Sequence, residues 1–175
     1  MIEVESKYWS PGNSAVVAAL SKLGAKKLSE LTMEDVYFAH PSREFGKTDE
    51  SVRLRKTEDG AELTYKGPRM EAGTAKAREE ITVKVADALS TQRILERVGF
   101  KEAYTLSKKR ATYQLDKLRV DVDSVDGLGD FVELEVMTES PERVASLLEM
   151  ARAELGLNKL EPKTYLELLI EKKGK

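Results

Sequence analysis

The chain has 175 residues, a formal net charge of −2, one histidine and no cysteine. This length suits one domain, expected over residues 1–175, and is long enough to fold without disulfides. Without cysteine, disulfides and thiolate metal sites are excluded, and a reducing, cytoplasmic setting is expected. His40 alone cannot build a histidine zinc site, so a metal would take oxygen ligands, which favours Mg²⁺ or Mn²⁺. No basic field for nucleic acid and no membrane-length apolar run is present.

The predicted elements begin with an alternating strand over residues 1–9, in which apolar and charged side chains fall on opposite faces. The periodicity predicts helices over residues 16–23, 87–98, 140–155 and 164–172, the third opening at Ser140-Pro141. It predicts strands over residues 33–38, 51–57, 61–66, 77–85, 103–106, 110–115, 118–123 and 131–137. The order of elements indicates an α+β protein.

An offset of 75 residues aligns the first strand, the end of the first helix and the next strand with later counterparts. Leu23-Gly24 falls on Val98-Gly99, for example. Such a constant offset indicates an internal pseudo-repeat. We therefore predict a closed antiparallel β-barrel with pseudo-two-fold symmetry and with helices packed on the outside.

Charges of one sign are grouped by strand on the faces that oppose the apolar side chains. One strand carries Arg53 and Arg55, and another carries Glu133 and Glu135. Like charges repel unless an opposite charge lies between them, and a polyphosphate with a divalent cation would satisfy both groups. A solvated face of an open sheet is the alternative, and composition alone does not decide between them.

Several motifs resemble the CYTH superfamily, the triphosphate tunnel metalloenzymes. Glu3, Glu5 and Lys7 have the spacing of its opening ExExK signature. The most specific similarity covers residues 122–135, VDSVDGLGDFVELE, with an aspartate, a Leu-Gly turn and an ExE pair in order. The chain looks most like the class IV adenylyl cyclase branch through residues 35–55, and the superfamily also includes thiamine, inorganic and RNA triphosphatases.

The resemblance implies a charged tunnel that binds a triphosphate lengthwise. Basic residues would bind phosphate and take part in catalysis: Lys7, Arg53, Arg55, Lys66, Arg78 and Arg110, with Lys163 as a further substrate contact. Acidic residues would hold Mg²⁺ or Mn²⁺: Glu3, Glu5, Glu80, Asp123, Glu133 and Glu135. Two registers stay open, because Glu79 competes with Glu80, and Lys108 and Lys109 compete with Arg110.

Three functions follow from the resemblance. A class IV adenylyl cyclase converts ATP to cyclic AMP and pyrophosphate, whereas an inorganic or thiamine triphosphatase hydrolyses a terminal phosphate. A non-catalytic nucleotide- or polyphosphate-binding module is the third. The expected partner is a small triphosphate molecule, without nucleic acid or membrane, and a homodimer is a family-level expectation.

Overall fold

The computed structural model describes residues 2–72, 75–140 and 144–174. Within them the helices are α1 (Asn13–Lys22), α2 (Phe45–Thr48), α3 (Ala88–Arg97), α4 (Ala145–Glu154) and α5 (Tyr165–Lys173). The strands are β1 (Ile2–Trp9), β2 (Lys26–Ala39), β3 (Ser51–Thr57), β4 (Gly60–Lys66), β5 (Met70–Ala72), β6 (Ala75–Arg78), β7 (Glu80–Val85), β8 (Lys101–Leu115), β9 (Leu118–Val125), β10 (Gly129–Thr138) and β11 (Lys159–Leu160).

The strands form one antiparallel sheet in the order β5-β6-β1-β10-β9-β8-β2-β3-β4-β7, and β11 pairs with β1. The fold is therefore α+β, as predicted. The long strands β2 and β8 replace shorter predicted ones, and the β2–β8 ladder is regular across residues 106–110, where two separate strands were predicted. The predicted helix start at Pro141 lies outside the described residues.

The offset of 75 residues reappears in the bounds of the elements. Helix α1 spans residues 13–22 and α3 spans residues 88–97, while β2 and β8 begin at residues 26 and 101. Met33 and Lys108, which are themselves 75 residues apart, pair directly across the β2–β8 ladder. A pseudo-two-fold axis therefore passes between these two central strands.

The helices pack on the apolar side of the sheet. Helices α1 and α4 cover the largest apolar cluster, which includes Val4, Leu20, Val132 and Leu148. A smaller cluster around Leu54 includes residues of α3, and α5 packs its Tyr165 and Leu169 near Phe131. Burial of this apolar surface drives the association of helix and sheet and leaves the other face of the strands to the polar side chains.

Strands β5 and β6 lie at one end of the sheet, and β7, the next strand in the chain, forms the other end. Strand β6 pairs with β1, and β7, which follows after Glu79 alone, pairs with β4. A backbone hydrogen bond of 3.0 Å from Gly67 to Glu79 joins the end of β4 to this connection. These pairings do not by themselves establish a closed barrel, which stays a prediction. None of the helices in the described part of the chain is long and apolar enough to cross a membrane.

Candidate functional site

A cavity of about 720 Å³ lies on the charged side of the sheet. Eleven of the thirteen residues predicted for the site line it: Glu3, Glu5, Lys7, Arg53, Arg55, Lys66, Arg78, Glu80, Arg110, Glu133 and Glu135. They come from seven strands that are far apart in the sequence. The period-two alternation, repeated in each strand, turns all of these side chains to the same side of the sheet.

Opposite charges face each other across the strand ladders. Lys7 of β1 lies opposite Glu133 of β10, and Lys66 of β4 lies opposite Glu80 of β7. Directly opposite residues of antiparallel strands project from the same face, so they interact. The groups of like charge seen along single strands are thus partly neutralised by their neighbours.

Arg55 is held in an ion pair within the wall of the cavity. Its Nε and Nη2 donate hydrogen bonds to the two carboxylate oxygens of Asp35 at 2.7 and 2.8 Å. Burial raises the pKa of Asp35, but the charges of Arg53 and Arg55 outweigh burial and hold this pKa below its ordinary value. Asp35 was not predicted as a site residue, although an acidic residue within an otherwise apolar strand is a usable signal.

Arg110 is engaged by acidic residues of β9 and β10. Its guanidinium donates to Asp121 at 2.6 Å, to Asp123 at 2.7 Å and, by a short contact, to Glu133. The pKa of Glu133 is raised by burial but lies well below its ordinary value because Arg110, Lys108 and Lys7 stabilise the carboxylate. The charge of Arg110 thus lowers the pKa of both Asp123 and Glu133 and favours their ionised forms.

Asp123 lies behind the cavity wall and is not among the residues that line it. Its side chain is 0% exposed and accepts hydrogen bonds from Arg110 and from the Tyr165 hydroxyl, the latter at 2.8 Å. This position suits a residue that orients Arg110. Lys163 also lies outside the lining, where its Nζ is 2.6 Å from a carboxylate oxygen of Glu171.

Three other cations keep donors that the described residues do not use. Arg53 Nε is buried without a hydrogen-bond partner among them, and Arg53 Nη1 is 3.8 Å from Asp35. Arg78 is 3.9 Å from Glu5. Lys7 Nζ lies 4.1 Å from the centre of the Tyr165 ring. A buried donor without a partner is costly, so these groups are suited to binding an anion.

The structure distinguishes the alternative registers by exposure. Glu80 lines the cavity while Glu79 is exposed, and Lys108 lines it with Arg110 while Lys109 is exposed. Lys108, which the sequence analysis held only as a competitor, is 3% exposed. Burial, with the neighbouring charge of Arg110, lowers its pKa to about 8.

Glu3, which is buried, and Glu80, which is half-buried, form a carboxyl pair. Burial, together with a hydrogen bond to Glu80, raises the pKa of Glu3 to about 10. Lys66 Nζ lies 2.5 Å from Glu80 and 3.8 Å from Glu3, so one ammonium serves both groups. A carboxyl whose pKa is raised in this way is one that an added cation would ionise.

The carboxylates of the cavity suit a divalent metal ion whose coordination would be completed by a bound ligand. Within the described residues no three acidic or histidine side chains converge to hold an ion unaided. Mg²⁺, however, is usually bound by one or two carboxylates together with water and phosphate oxygens. The pairs Glu3 with Glu80, and Glu5 with Glu133, offer such partial sites beside the unused cation donors.

Another part of the cavity lining is aromatic and apolar, with Phe45, Tyr104 and Ile170 among its residues. His40 also lines it and packs against Phe45, with ring centres 5.2 Å apart. Large flat side chains of this kind suit contact with an organic ring. No base pocket could be predicted from the sequence, because these residues come from the separate elements α2, β8 and α5.

Arg69 joins two segments beside the cavity. Its Nε donates to Asp49 at 2.7 Å, and its two terminal nitrogens donate to the carboxylate of Glu167 at 2.8 and 3.1 Å. Glu167 also completes a capping box with Thr164 at the start of α5. This Arg69 clasp fixes the first turn of α5 against the rest of the cavity.

The fold and the site together define an α+β protein whose antiparallel sheet carries a deep cavity of paired cations and carboxylates. The CYTH domain family matches residues 1–166, and the chain belongs to that family.

Relatives of full length support the assignment. The chain is 36% identical to a protein of Methanocaldococcus jannaschii, named only provisionally as an adenylate cyclase, over 96% of this chain and 98% of that one. It is 31% identical to the adenylate cyclase CyaB of Aeromonas hydrophila, over 95% of this chain and 87% of the relative.

Solved structures show the same fold. A Pyrococcus horikoshii protein superposes with a TM-score of 0.84 and 35% identity, covering 97% of this chain and 99% of its own. A Hippeastrum adenylyl cyclase candidate, described as having a dominant triphosphatase activity, superposes with a TM-score of 0.74 at 21% identity, covering 99% and 96%.

Proposed function

We propose that this protein is a metal-dependent enzyme acting on a nucleoside triphosphate, with the activity of a class IV adenylyl cyclase. The observation that carries the proposal is the set of unused donors on Arg53, Arg78 and Lys7, which share one cavity with paired carboxylates. Anion-binding donors and cation-binding acids in one enclosed space match the chemistry of a metal–triphosphate complex. The names of the two curated relatives point to the same activity.

We infer that the cavity is a tunnel closed through residues 75–85. This segment pairs with β1 at one end of the sheet and with β4 at the other. Lys66 of β4 contacts both Glu3 of β1 and Glu80 of β7, so its side chain also links these two parts of the sheet. Closure would keep water away from the charged groups and strengthen their interaction with phosphate.

The proposed roles follow from the partners of each side chain. Arg53, Arg78, Lys66 and Lys108 bind phosphate oxygens, and Lys7 lies beside the reacting phosphate. Arg55 donates two hydrogen bonds to Asp35, and Arg110 donates to Asp121, Asp123 and Glu133, so these arginines keep the wall charged and ordered. Glu3, Glu5, Glu80, Glu133 and Glu135 would hold Mg²⁺ or Mn²⁺, which when bound neutralises charge developing on phosphoryl oxygens.

In the cyclase reaction the 3′-oxygen of ATP bonds to the α-phosphorus. The bond from that phosphorus to the bridging oxygen breaks, pyrophosphate leaves and the hydroxyl proton is released. The residues of the chain hold the triphosphate in line with the ribose 3′-oxygen. Much of the entropic cost of reaching this geometry then falls in the binding step rather than in the chemical step. The aromatic lining around Phe45 and Tyr104 provides a surface for the adenine.

A triphosphatase is the second candidate, because the charged part of the cavity is sufficient for a bare triphosphate and needs no base. Water would then attack a terminal phosphorus of tripolyphosphate or thiamine triphosphate. The description of the Hippeastrum structure is compatible with this activity on the same fold.

Product analysis tests the proposal. The protein is incubated with Mg²⁺ or Mn²⁺ and, separately, with ATP, tripolyphosphate and thiamine triphosphate, and products are resolved by ³¹P NMR and chromatography. Cyclic AMP with pyrophosphate is the expected result, and the Arg53→Ala variant, purified in parallel, controls for contaminating enzymes. Orthophosphate without cyclic AMP would replace the cyclase by the triphosphatase, and tight binding without turnover would leave a binding module.

A further inference from the structure

Tyr165 is the first residue of α5, yet its side chain reaches the charged interior of the molecule. It is 6% exposed and lines the cavity. Its hydroxyl donates a hydrogen bond of 2.8 Å to Asp123, and its ring packs edge-on against Phe131 with centres 5.1 Å apart. A side chain held at both its hydroxyl and its ring has little freedom to move.

Two ammonium groups lie over the Tyr165 ring. Lys7 Nζ is 4.1 Å from the ring centre and Lys108 Nζ is 4.8 Å from it. Both distances are within the range of a cation–π interaction, which is stronger when the cation is desolvated. Lys7 is 5% exposed, and burial lowers its pKa.

The support that Lys7 receives differs from the support of the buried arginines. Arg55 and Arg110 are fixed by carboxylates that accept their hydrogen bonds. Lys7, in the described part of the chain, makes no ion pair within 4.0 Å, and its nearest recorded partner is an aromatic face. An aromatic ring attracts a cation without accepting its N–H donors in a strong hydrogen bond, so the three donors of Lys7 stay available to a ligand.

We propose that Tyr165 is a positioning residue that holds the Lys7 ammonium at the reacting end of the bound triphosphate while leaving its donors free. The proposal rests on the function proposed above and adds to it a role for the C-terminal helix. Docking of α5, fixed by the Arg69 clasp and the capping box, completes the site by delivering this ring.

A double-mutant cycle separates positioning from a general structural effect. Tyr165→Leu removes the ring, Tyr165→Phe removes only the hydroxyl, and Lys7→Met removes the supported cation. We expect Tyr165→Leu to lower kcat by about tenfold or more with a smaller change in KM, and Tyr165→Phe to lower it less. In the Lys7→Met background Tyr165→Leu should cause a much smaller further loss, confined to the part of its effect that acts through Lys108.

Tyr113→Leu provides the matched control. Tyr113 is a similarly buried tyrosine, 5% exposed, in the apolar cluster on the far side of the sheet. Its loss should lower the melting temperature without interacting with Lys7→Met in kcat. Equal, additive losses for Tyr165→Leu and Tyr113→Leu in both backgrounds would overturn the positioning role.

Crystal structures of the unliganded Tyr165→Phe and Tyr165→Leu variants test the proposal even if no turnover is found. The Lys7 Nζ should keep its place over the Phe ring and leave it in the Leu variant. An unmoved Lys7 in the Leu variant would refute the role of Tyr165. Absence of turnover and of tripolyphosphate binding by the unmodified protein would refute the proposed function instead.

Discussion

Arg55 and Asp35 form a bidentate ion pair, at 2.7 and 2.8 Å, inside the wall of the charged cavity. Arg53, two residues away on the same face of β3, keeps its Nε without a hydrogen-bond partner among the described residues. The two arginines look equivalent in the sequence, but their hydrogen-bond partners differ.

Replacing each arginine by alanine should separate binding from stability. Arg55→Ala leaves Asp35 buried without its main partner and should lower the free energy of unfolding by about 3 kcal/mol. Arg53→Ala should destabilise the protein less and should weaken tripolyphosphate binding by about tenfold or more. Urea denaturation and calorimetric titration measure the two effects, and identical profiles for both variants would contradict the distinction.

Divalent metal should stabilise the folded protein because it relieves the crowding of buried carboxyls. At 100 times its dissociation constant a ligand adds about 2.7 kcal/mol, or roughly 5 to 10 °C in melting temperature for a chain of this size. We expect such a shift with Mn²⁺ and tripolyphosphate together, and a much smaller one in Glu3→Gln. Glu58→Gln, in the exposed turn between β3 and β4, is the control that should behave like the unmodified protein.

The Arg69 clasp should contribute stability that is lost in acid. Burial raises the pKa of Glu167, but Arg69 and Thr164 outweigh burial and lower this pKa from 4.5 to about 2. A lowered pKa means that the unfolded state takes up the proton first, so the contribution is complete above pH about 4.5 and disappears as the pH falls toward 2. Thermal unfolding should show Glu167→Gln less stable near pH 6, with the difference shrinking toward pH 2. A constant difference across that range would count against the clasp.

The aromatic lining should discriminate a nucleotide from a bare triphosphate. Phe45→Ala removes a ring that lines the cavity and should raise the KM for ATP about tenfold, with a much smaller effect on tripolyphosphate binding. Phe100 also packs against His40, with ring centres 5.0 Å apart, and is outside the lining, so Phe100→Ala is the control. If Phe45→Ala weakened the interactions with ATP and with tripolyphosphate equally, the aromatic surface would have no role in base recognition.

Much of the fold and the lining of the cavity could be predicted because period-two alternation is local. The alternation within each strand indicates which of its faces is charged, and the 75-residue offset relates the two halves of the chain to each other. The partners of those charges could not be predicted in the same way. Asp35 meets Arg55 only once β2 pairs with β3, and Arg69 meets Glu167 across 98 positions of the sequence. Such contacts depend on register and on the docking of α5, neither of which a local pattern specifies.

Exposure, rather than residue type, separates the residues that line the cavity from their neighbours in the sequence. Lys108, Lys109 and Arg110 are three consecutive cations, and the sequence ranked only the last as a site residue. Alternation along β8 buries the first and third and leaves the second outside. The same rule, applied to a strand whose register is already known, would have placed Lys108 in the cavity.

Strand β1 forms its longest ladder with β10, which comes late in the sequence. Ile2 pairs with Thr138, and Trp9 pairs with Phe131. During synthesis β1 therefore emerges well over a hundred residues before β10. Until β10 is made, β1 remains unpaired on that side and exposes its apolar face. Folding of this part of the sheet is governed by late, non-local pairing, which is slow and exposes the nascent chain to aggregation. Shortened chains that end before β10 should accordingly fail to protect β1 from proteolysis or from association with other chains.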